Sequence, residues 1–240
     1  MKSTPKRKTV PFRVDIHSHF IPGIDDGSET MEQTIHMLRR MEEFGYQKVI
    51  TTPHIIHDTY RNTPEIILEG VRKVQEAVKK ESIPIRIEAA AEYYLDEFFM
   101  EKLANKSEKI LSFGDDYVLI ETSFINEPVF LEHAIFELQS QGYKPVLAHP
   151  ERYLYFHNKK EELSRLKERG LLLQVNLNSL NGYYAKPASN IAAWIIENKM
   201  ANFLGSDCHH DRHLDNIGKV INSKLFDKAL DNPLLNTELI

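Results

Sequence analysis

Short apolar runs alternate with longer segments of helical periodicity along most of this chain. The short runs predict buried strands, and apolar residues repeated at intervals of three and four predict helices between them. The predicted strands are residues 12–16, 48–52, 83–91, 117–120, 145–148, 171–175 and 202–205. The predicted helices are residues 29–44 (with Ser28 as N-cap), 64–81, 96–105, 128–141, 159–169, 188–199 and 213–223.

This order of about seven strand-then-helix units predicts an α/β fold with a parallel sheet, because parallel neighbours need a crossover connection. A closed barrel and an open doubly wound sheet both fit the order of elements. Polar residues at the ends of the predicted strands favour the barrel, since those ends converge on one mouth only when the sheet closes. The expected fold is therefore a TIM-like barrel of seven strands.

The strand-end residues have the side chains of a metal site. The first strand ends in His-x-His, which sends two imidazoles to one side of the chain. Asp26 comes from the Gly/Asp-rich loop after it, and its neighbour Asp25 is an equal candidate on sequence alone. The residues at the ends of the strands are His17, His19, His54, Glu92, Glu121, His149, Asp207 and His209.

Together with Asp26 these residues provide five imidazoles and four carboxylates, enough for two or three divalent cations. Imidazole mixed with carboxylate suits Mn, Fe, Co or Zn better than Ca, and Mg uses fewer histidines. Clustered cations lower the pKa of water and stabilise an in-line displacement at phosphorus. The pattern therefore favours hydrolysis.

Composition narrows the class of protein. The 240 residues are 42% hydrophobic and 27% charged, as expected for one large globular domain, and the mixed charges sum to -5. Without a basic stripe, nucleic acid is not an expected partner. A single cysteine and the lack of a long apolar run favour a cytoplasmic protein without membrane insertion. Residues 1–11 are predicted to be a flexible basic extension and residues 12–240 the domain.

Two arginines are candidates for binding a phosphoryl group. Arg152 follows His149 at the same predicted mouth, and Arg212 follows the last predicted strand end. A cysteine phosphatase is excluded, because position 214, six residues after Cys208, is Leu and not Arg. Loop aromatics are interpreted mainly as a plug of the barrel mouth. The remaining histidines considered are interpreted as loop or helix-surface residues: His36, His57, His210 and His213.

These motifs resemble the polymerase-and-histidinol-phosphatase (PHP) superfamily, and within it the bacterial manganese-dependent tyrosine phosphatases encoded with capsule and exopolysaccharide genes. The resemblance covers nearly the whole chain after residue 12. Its markers are Asp15-Ile16-His17-Ser18-His19, residues 22–27, Thr52-Pro53-His54, Ala91-Glu92-Tyr93-Tyr94, Glu121, His149-Pro150-Glu151-Arg152 and Ser206-Asp207-Cys208-His209.

The resemblance implies a distorted (βα)7 barrel with a three-metal cluster, most often Mn²⁺, held by the nine residues named above. It also implies that Arg152 binds the phosphate, and it places the family's second arginine, at a shifted position, on Arg212. The implied partner is a phosphotyrosyl protein, namely the tail of a bacterial tyrosine kinase that controls capsular or exopolysaccharide synthesis.

Three functions stay open on this basis. The first is a metal-dependent protein-tyrosine phosphatase. The second is a phosphoesterase for histidinol phosphate or another small phosphomonoester, which the same metals would serve. The third is a non-catalytic, metal-binding regulatory barrel. The sequence leaves the oligomeric state and the native metal undetermined.

Overall fold

The computed structural model describes residues 9–105 and 109–240. Within them, the strands are β1 Val14–Asp15, β2 Lys48–Thr51, β3 His54–Ile55, β4 Arg86–Ala89, β5 Glu92–Tyr94, β6 Tyr117–Glu121, β7 Lys144–Ala148, β8 Leu172–Asn176 and β9 Phe203–Gly205. The helices are α1 Met31–Glu43, α2 Pro64–Lys80, α3 Glu97–Ala104, α4 Leu131–Ser140, α5 Lys160–Glu168, α6 Lys186–Glu197, α7 Asp211–Val220 and α8 Lys224–Ala229.

All paired strands run parallel, in the orders β1-β2-β4 and β3-β5-β6-β7-β8-β9. The strands predicted at 48–52 and 83–91 correspond to β2 and β4 of the first sheet. After a short break, the chain continues from each of them as a strand of the second sheet, β3 and β5. Pro53 lies at the first interruption and has no N–H to donate. At the second, the Glu92 N–H donates to the Pro53 carbonyl at 3.1 Å and keeps the two chain segments adjacent. The predicted seven-stranded, distorted barrel is confirmed in this form.

Hydrogen bonds between the two ends of the domain close the barrel. The Asp207 N–H donates to the His17 carbonyl at 2.8 Å, and the His19 N–H donates to the Cys208 carbonyl at 3.0 Å. Beneath them, the buried Asp15 carboxylate accepts hydrogen bonds from the Ser206 N–H and hydroxyl, at 2.8 and 2.7 Å. The last strand is thereby attached to the first, as the convergence of polar strand ends predicts.

The core has two parts. One apolar cluster lies between the helices and the outer face of the sheet, and a second, smaller cluster fills the barrel. Phe203 lies in the smaller cluster with no exposed surface, and its ring packs edge-on against Tyr117 and Phe113 at 5.2 and 5.8 Å between centroids. Side chains therefore fill the barrel below its polar mouth.

Most local differences from the predictions lie at the ends of elements. In addition, the helix predicted at 213–223 is not the last one, because α8 follows it. Helix α1 is capped by Thr30, whose hydroxyl accepts from the Gln33 N–H, so the prediction of Ser28 as N-cap is wrong. The Ser28 hydroxyl instead bonds to buried Thr34 at 2.8 Å. Of the predicted extension, residues 1–8 lie outside the described residues, whereas Val10 is buried. None of the described helices is both long and apolar enough to cross a membrane.

Replacing Phe203 by alanine should remove about 3–5 kcal/mol from the free energy of unfolding, because a buried ring is lost and a cavity remains. Urea unfolding followed by circular dichroism measures this change. Phe136→Ala is the matched control, since Phe136 is 64% exposed and should change stability by less than about 0.5 kcal/mol. Equal losses in both variants would contradict the assignment of Phe203 to the barrel interior.

Candidate metal centre

The carboxyl ends of the strands surround a cavity of about 390 Å³. Its wall combines imidazoles and carboxylates with aromatic rings and one guanidinium group. The residues that line it are Asp26, His54, Ile56, Tyr60, Tyr94, Glu121, Phe124, His149, Arg152, Tyr184, Asp207, His209, His210 and His213. The predicted convergence of strand-end residues is thus a feature of the structure.

Three overlapping groups of possible ligands lie at the base of this cavity. Among the described residues, each group has its ligand atoms within 4.8 Å of one another. The groups are His19, Asp26, His54 and His209; His17, His19 and Glu92; and His54, Glu92 and Glu121. His19, His54 and Glu92 each belong to two groups, so the three groups form one continuous cluster and not three separate sites.

Hydrogen bonds behind the cluster fix the direction of three imidazoles. The Nδ1 atom of His17 donates to Gln174 Oε1 at 2.8 Å, and that of His19 donates to Asp25 Oδ2 at 2.8 Å. His209 Nδ1 donates to the Asp207 carbonyl at 3.0 Å. Because these oxygens only accept, each Nδ1 carries a proton and each Nε2 is left toward the cluster, as in metal-binding histidines.

Buried atoms without hydrogen bonds show that this donor set fits cations. His19 Nε2 is buried with no hydrogen-bond partner, although Glu92 Oε2 lies 3.5 Å away and Asp207 Oδ1 3.6 Å away. His54 Nδ1 lies 2.8 Å from Glu121 Oε1 and 3.1 Å from Glu92 Oε2 without a directed hydrogen bond. Nitrogen and oxygen atoms that face a common point in this way are suited to a shared cation.

The electrostatics of the cluster favour positive charge. Burial is the largest single influence on the pKa of His54 and would lower it, but the carboxylates of Glu92, Asp26 and Glu121 together raise that pKa to about 12. Burial would likewise lower the pKa of His19, and the carboxylates of Asp25 and Asp207 together raise it to about 10. For Glu121, burial and the charge of Glu92 both raise the pKa. The buried carboxylates therefore require compensating charge, which divalent cations supply when bound.

Arg152 connects the cluster to the aromatic wall. Its guanidinium donates to Asp207 Oδ2 at 2.9 Å, and Asp207 Oδ1 lies 3.5 Å from His17 Nε2. The guanidinium also lies between two rings, 4.6 Å from the centroid of Phe124 and 4.3 Å from that of Tyr184. This arrangement holds the cationic group at the cavity by an ion pair and two cation–π contacts.

The backbone is strained at two of the strand-end residues. His149 follows β7 with φ 33°, and Asp207 follows β9 with φ 48°. Both values lie in the left-handed region, which residues other than glycine rarely adopt. Such conformations cost about 1–3 kcal/mol each and persist where the surroundings impose them. Here they occur at two polar residues of the cavity wall.

Six of the nine predicted metal-ligating residues line this cavity: Asp26, His54, Glu121, His149, Asp207 and His209. The other three, His17, His19 and Glu92, belong to the ligand groups at its base. Of the two predicted arginines, Arg152 lines the cavity and Arg212 does not. The His149 Nε2 atom lies 3.1 Å from the Glu92 Oε1 atom, so His149 joins the cluster through that carboxylate. Asp25 accepts from His19, so of the two adjacent aspartates Asp26 is the one in a ligand group. Arg212 is exposed and lines a neighbouring groove, together with Asp26 and His209.

Several residues of the site were not predicted, among them His213, Gln174 and Tyr184. His213 was interpreted as a surface residue, which is wrong: it is buried, lines the cavity and accepts a hydrogen bond from the His209 N–H. Gln174 and Tyr184 were not singled out. The signal for Gln174 is a polar residue within an otherwise apolar strand, whereas no sequence pattern indicates Tyr184.

Comparison with known proteins agrees with this geometry. The family described as capsular polysaccharide synthesis, CpsB/CapC, matches residues 13–228. The chain belongs to the CpsB/CapC family. The predicted resemblance is thereby confirmed.

Individual relatives and solved structures are similar to this member of the CpsB/CapC family. The tyrosine-protein phosphatase YwqE of Bacillus subtilis is 31% identical over 198 residues, covering 82% of this chain and 77% of YwqE. The tyrosine-protein phosphatase CpsB of Streptococcus agalactiae is 26% identical over 202 residues, covering 82% and 83%.

A crystal structure from work on YwqE of B. subtilis and CpsB of Streptococcus pneumoniae, described as unique metal-dependent tyrosine phosphatases, gives a TM-score of 0.81. That chain is 29% identical, and 94% of each chain is covered. An amidohydrolase from Mycoplasma synoviae, 14% identical with a TM-score of 0.56, shares the fold alone.

If Glu92 belongs to two ligand groups, Glu92→Gln should weaken Mn²⁺ binding by more than about 10-fold, since loss of an outer-shell partner alone costs about 10- to 100-fold. Calorimetric titration of Mn²⁺ into metal-stripped protein measures the affinity. Glu151→Gln is the control: Glu151 is equally buried but bonds to Ser179 and the Asn176 N–H, outside the cluster. Unchanged binding in Glu92→Gln would refute its role as a ligand.

Proposed function

We propose that this chain is a metal-dependent protein-tyrosine phosphatase that hydrolyses phosphotyrosine in polypeptides. The observation that carries the proposal is the position of Arg152 between two aromatic rings, beside a cluster of imidazoles and carboxylates. An enzyme that hydrolyses an aryl phosphate needs a cation-binding centre, a phosphate-binding group and an aromatic wall. Membership of the CpsB/CapC family, whose relatives include named tyrosine phosphatases, supports the same conclusion.

The shape of the cavity favours an aromatic substrate over a small phosphomonoester. Four rings line it, those of Tyr60, Tyr94, Phe124 and Tyr184. The Tyr60 ring lies parallel to the His54 imidazole at 5.6 Å between centroids, so one aromatic face continues from the wall to the cluster. A phenyl group with its phosphate at the cluster would be held between such walls.

Different residues of the chain would have different roles in the reaction. The nine residues predicted from the sequence would hold the cations, with Gln174 and Asp25 orienting His17 and His19. Bound divalent cations supply Lewis acidity toward phosphoryl oxygens and lower the pKa of water. The Arg152 guanidinium would bind two phosphoryl oxygens, and Asp207 keeps it in place. The aromatic rings would orient the phenyl group and exclude water from its faces.

Three finer assignments belong to this proposal. The mixture of imidazole and carboxylate ligands suits Mn²⁺, with Fe, Co, Zn or Mg as alternatives. The substrate we propose is phosphotyrosine in the tail of a bacterial tyrosine kinase that controls capsular or exopolysaccharide synthesis. The single cysteine agrees with a cytoplasmic location for this reaction.

A comparison of substrates tests the proposal directly. Metal-stripped protein supplied with Mn²⁺ should hydrolyse a phosphotyrosyl peptide much faster than a phosphoseryl peptide or histidinol phosphate, because only the first has a phenyl group for the aromatic walls. Release of inorganic phosphate measures each rate. Preference for histidinol phosphate would support the small-substrate alternative, and no hydrolysis of any substrate would support a non-catalytic barrel.

Arg152→Ala should lower kcat/KM for a phosphotyrosyl peptide by about 100-fold or more, since a charged donor to the phosphoryl group is removed. Bound Mn²⁺, measured by elemental analysis, should stay at the wild-type level. Arg212→Ala removes the same charge at an exposed position and should change kcat/KM by less than about threefold. A large effect of Arg212→Ala with no effect of Arg152→Ala would reverse the two assignments.

A further inference from the structure

A second cavity adjoins the one that contains the metal centre. It has a volume of about 280 Å³ and lies between the segment that follows β3 and the first turns of α3. Ile56 and Tyr94 line both cavities, so the two adjoin at these side chains. A ligand that enters the first cavity as part of a longer chain would therefore extend over the second.

The walls of this second cavity are mostly apolar. They include Ile55, Tyr93 and Phe99, and the Phe98 ring, which stacks on His57 with an angle of 9° between the ring planes. Phe98 is 41% exposed although it is a large apolar residue, and its exposed surface adds to this wall. Walls of apolar and aromatic side chains beside a reaction centre are typical of a cavity that binds part of a ligand.

The charged residues of the lining already interact within the protein. Arg61 Nε donates to the His57 carbonyl at 2.7 Å, and Lys102 attracts the Glu65 carboxylate. Asp96 is the N-cap of α3 and accepts from the Phe99 N–H at 2.8 Å. The cavity therefore offers a ligand mainly its apolar surface. The volume is near the lower limit for small-molecule sites, about 300 Å³, and suits one side chain.

From this adjacency, apolar lining and volume, we infer that the second cavity is a subsite for an apolar side chain close to the phosphotyrosine in the substrate polypeptide. The inference rests on the proposed phosphatase activity and adds a determinant of its specificity. Phe98 provides the contact surface of the subsite and takes no part in the chemistry. The enzyme would accordingly distinguish phosphotyrosyl polypeptides by an apolar neighbour and not by the phosphotyrosine alone.

The test combines a set of peptides with variants of Phe98. The peptides contain phosphotyrosine among serines, with one phenylalanine placed in turn at each position from three before to three after it. For the wild-type protein with Mn²⁺, phenylalanine at one of these positions should raise kcat/KM about 10-fold over the all-serine peptide, which corresponds to about 1.4 kcal/mol. The small substrate p-nitrophenyl phosphate cannot reach the subsite and serves as the reference.

Phe98→Ser should reduce that preference to less than about twofold and leave kcat/KM for p-nitrophenyl phosphate within about twofold of wild type. Phe98→Leu, which keeps an apolar side chain, should restore most of the preference. Phe136→Ser removes a phenylalanine that is 64% exposed on α4, away from both cavities, and should leave the preference intact. Thermal unfolding of the variants checks that each is folded.

Several outcomes would overturn the inference. One is a wild-type protein that hydrolyses all the peptides at similar rates. Another is a Phe98→Ser variant that keeps the full preference, or that loses the same factor on p-nitrophenyl phosphate as on the peptides. If the wild-type protein with Mn²⁺ hydrolyses p-nitrophenyl phosphate but none of the phosphotyrosyl peptides, the proposed function fails, and the subsite fails with it.

Discussion

Two hydrogen bonds between the ends of the domain, from the Asp207 N–H to the His17 carbonyl and from the His19 N–H to the Cys208 carbonyl, govern both the fold and the site. The segments that they join carry four of the candidate ligands, so closing the barrel and assembling the metal centre are one structural event. Ordering these segments costs about 1–2 kcal/mol of backbone entropy per residue. Burial of the apolar clusters on both sides of the sheet offsets that cost.

The structure of the site also depends on how the buried negative charge at the barrel mouth is balanced. Glu92, Glu121 and Asp207 are almost fully buried, which is tolerable only when each carboxylate faces positive charge. Asp207 faces the imidazoles through one oxygen and Arg152 through the other. The candidate ligand cluster and Arg152 therefore share Asp207 as a partner, so a substitution of Asp207 would disturb both. Neither group is arranged independently, which agrees with a single site that handles a phosphoryl group.

The walls of the barrel mouth also give a physical reason why a metal-dependent phosphatase of this kind would select aryl phosphates in polypeptides. Cations and a guanidinium recognise any phosphoryl group, so selectivity has to come from the remaining walls. The aromatic faces around the cluster belong to Tyr60, Tyr94, Phe124 and Tyr184, and the cavity that includes Phe98 adjoins this one at Tyr94. A barrel fold of this kind hosts many activities, so the fold alone does not define the substrate.

The sequence by itself determined the alternation of strands and helices, the barrel and the residues at its mouth, because the apolar periodicity locates each strand and parallel strands end at the same edge. A strand-end residue such as His149 or Glu121 could thus be placed without knowledge of the loops. Tertiary structure alone decided the rest: that Tyr184 reaches Arg152, that His213 is buried, and that Arg212 faces a different groove. Positions on loops and first helical turns depend on packing between residues distant in the chain, for which local sequence carries no periodic signal.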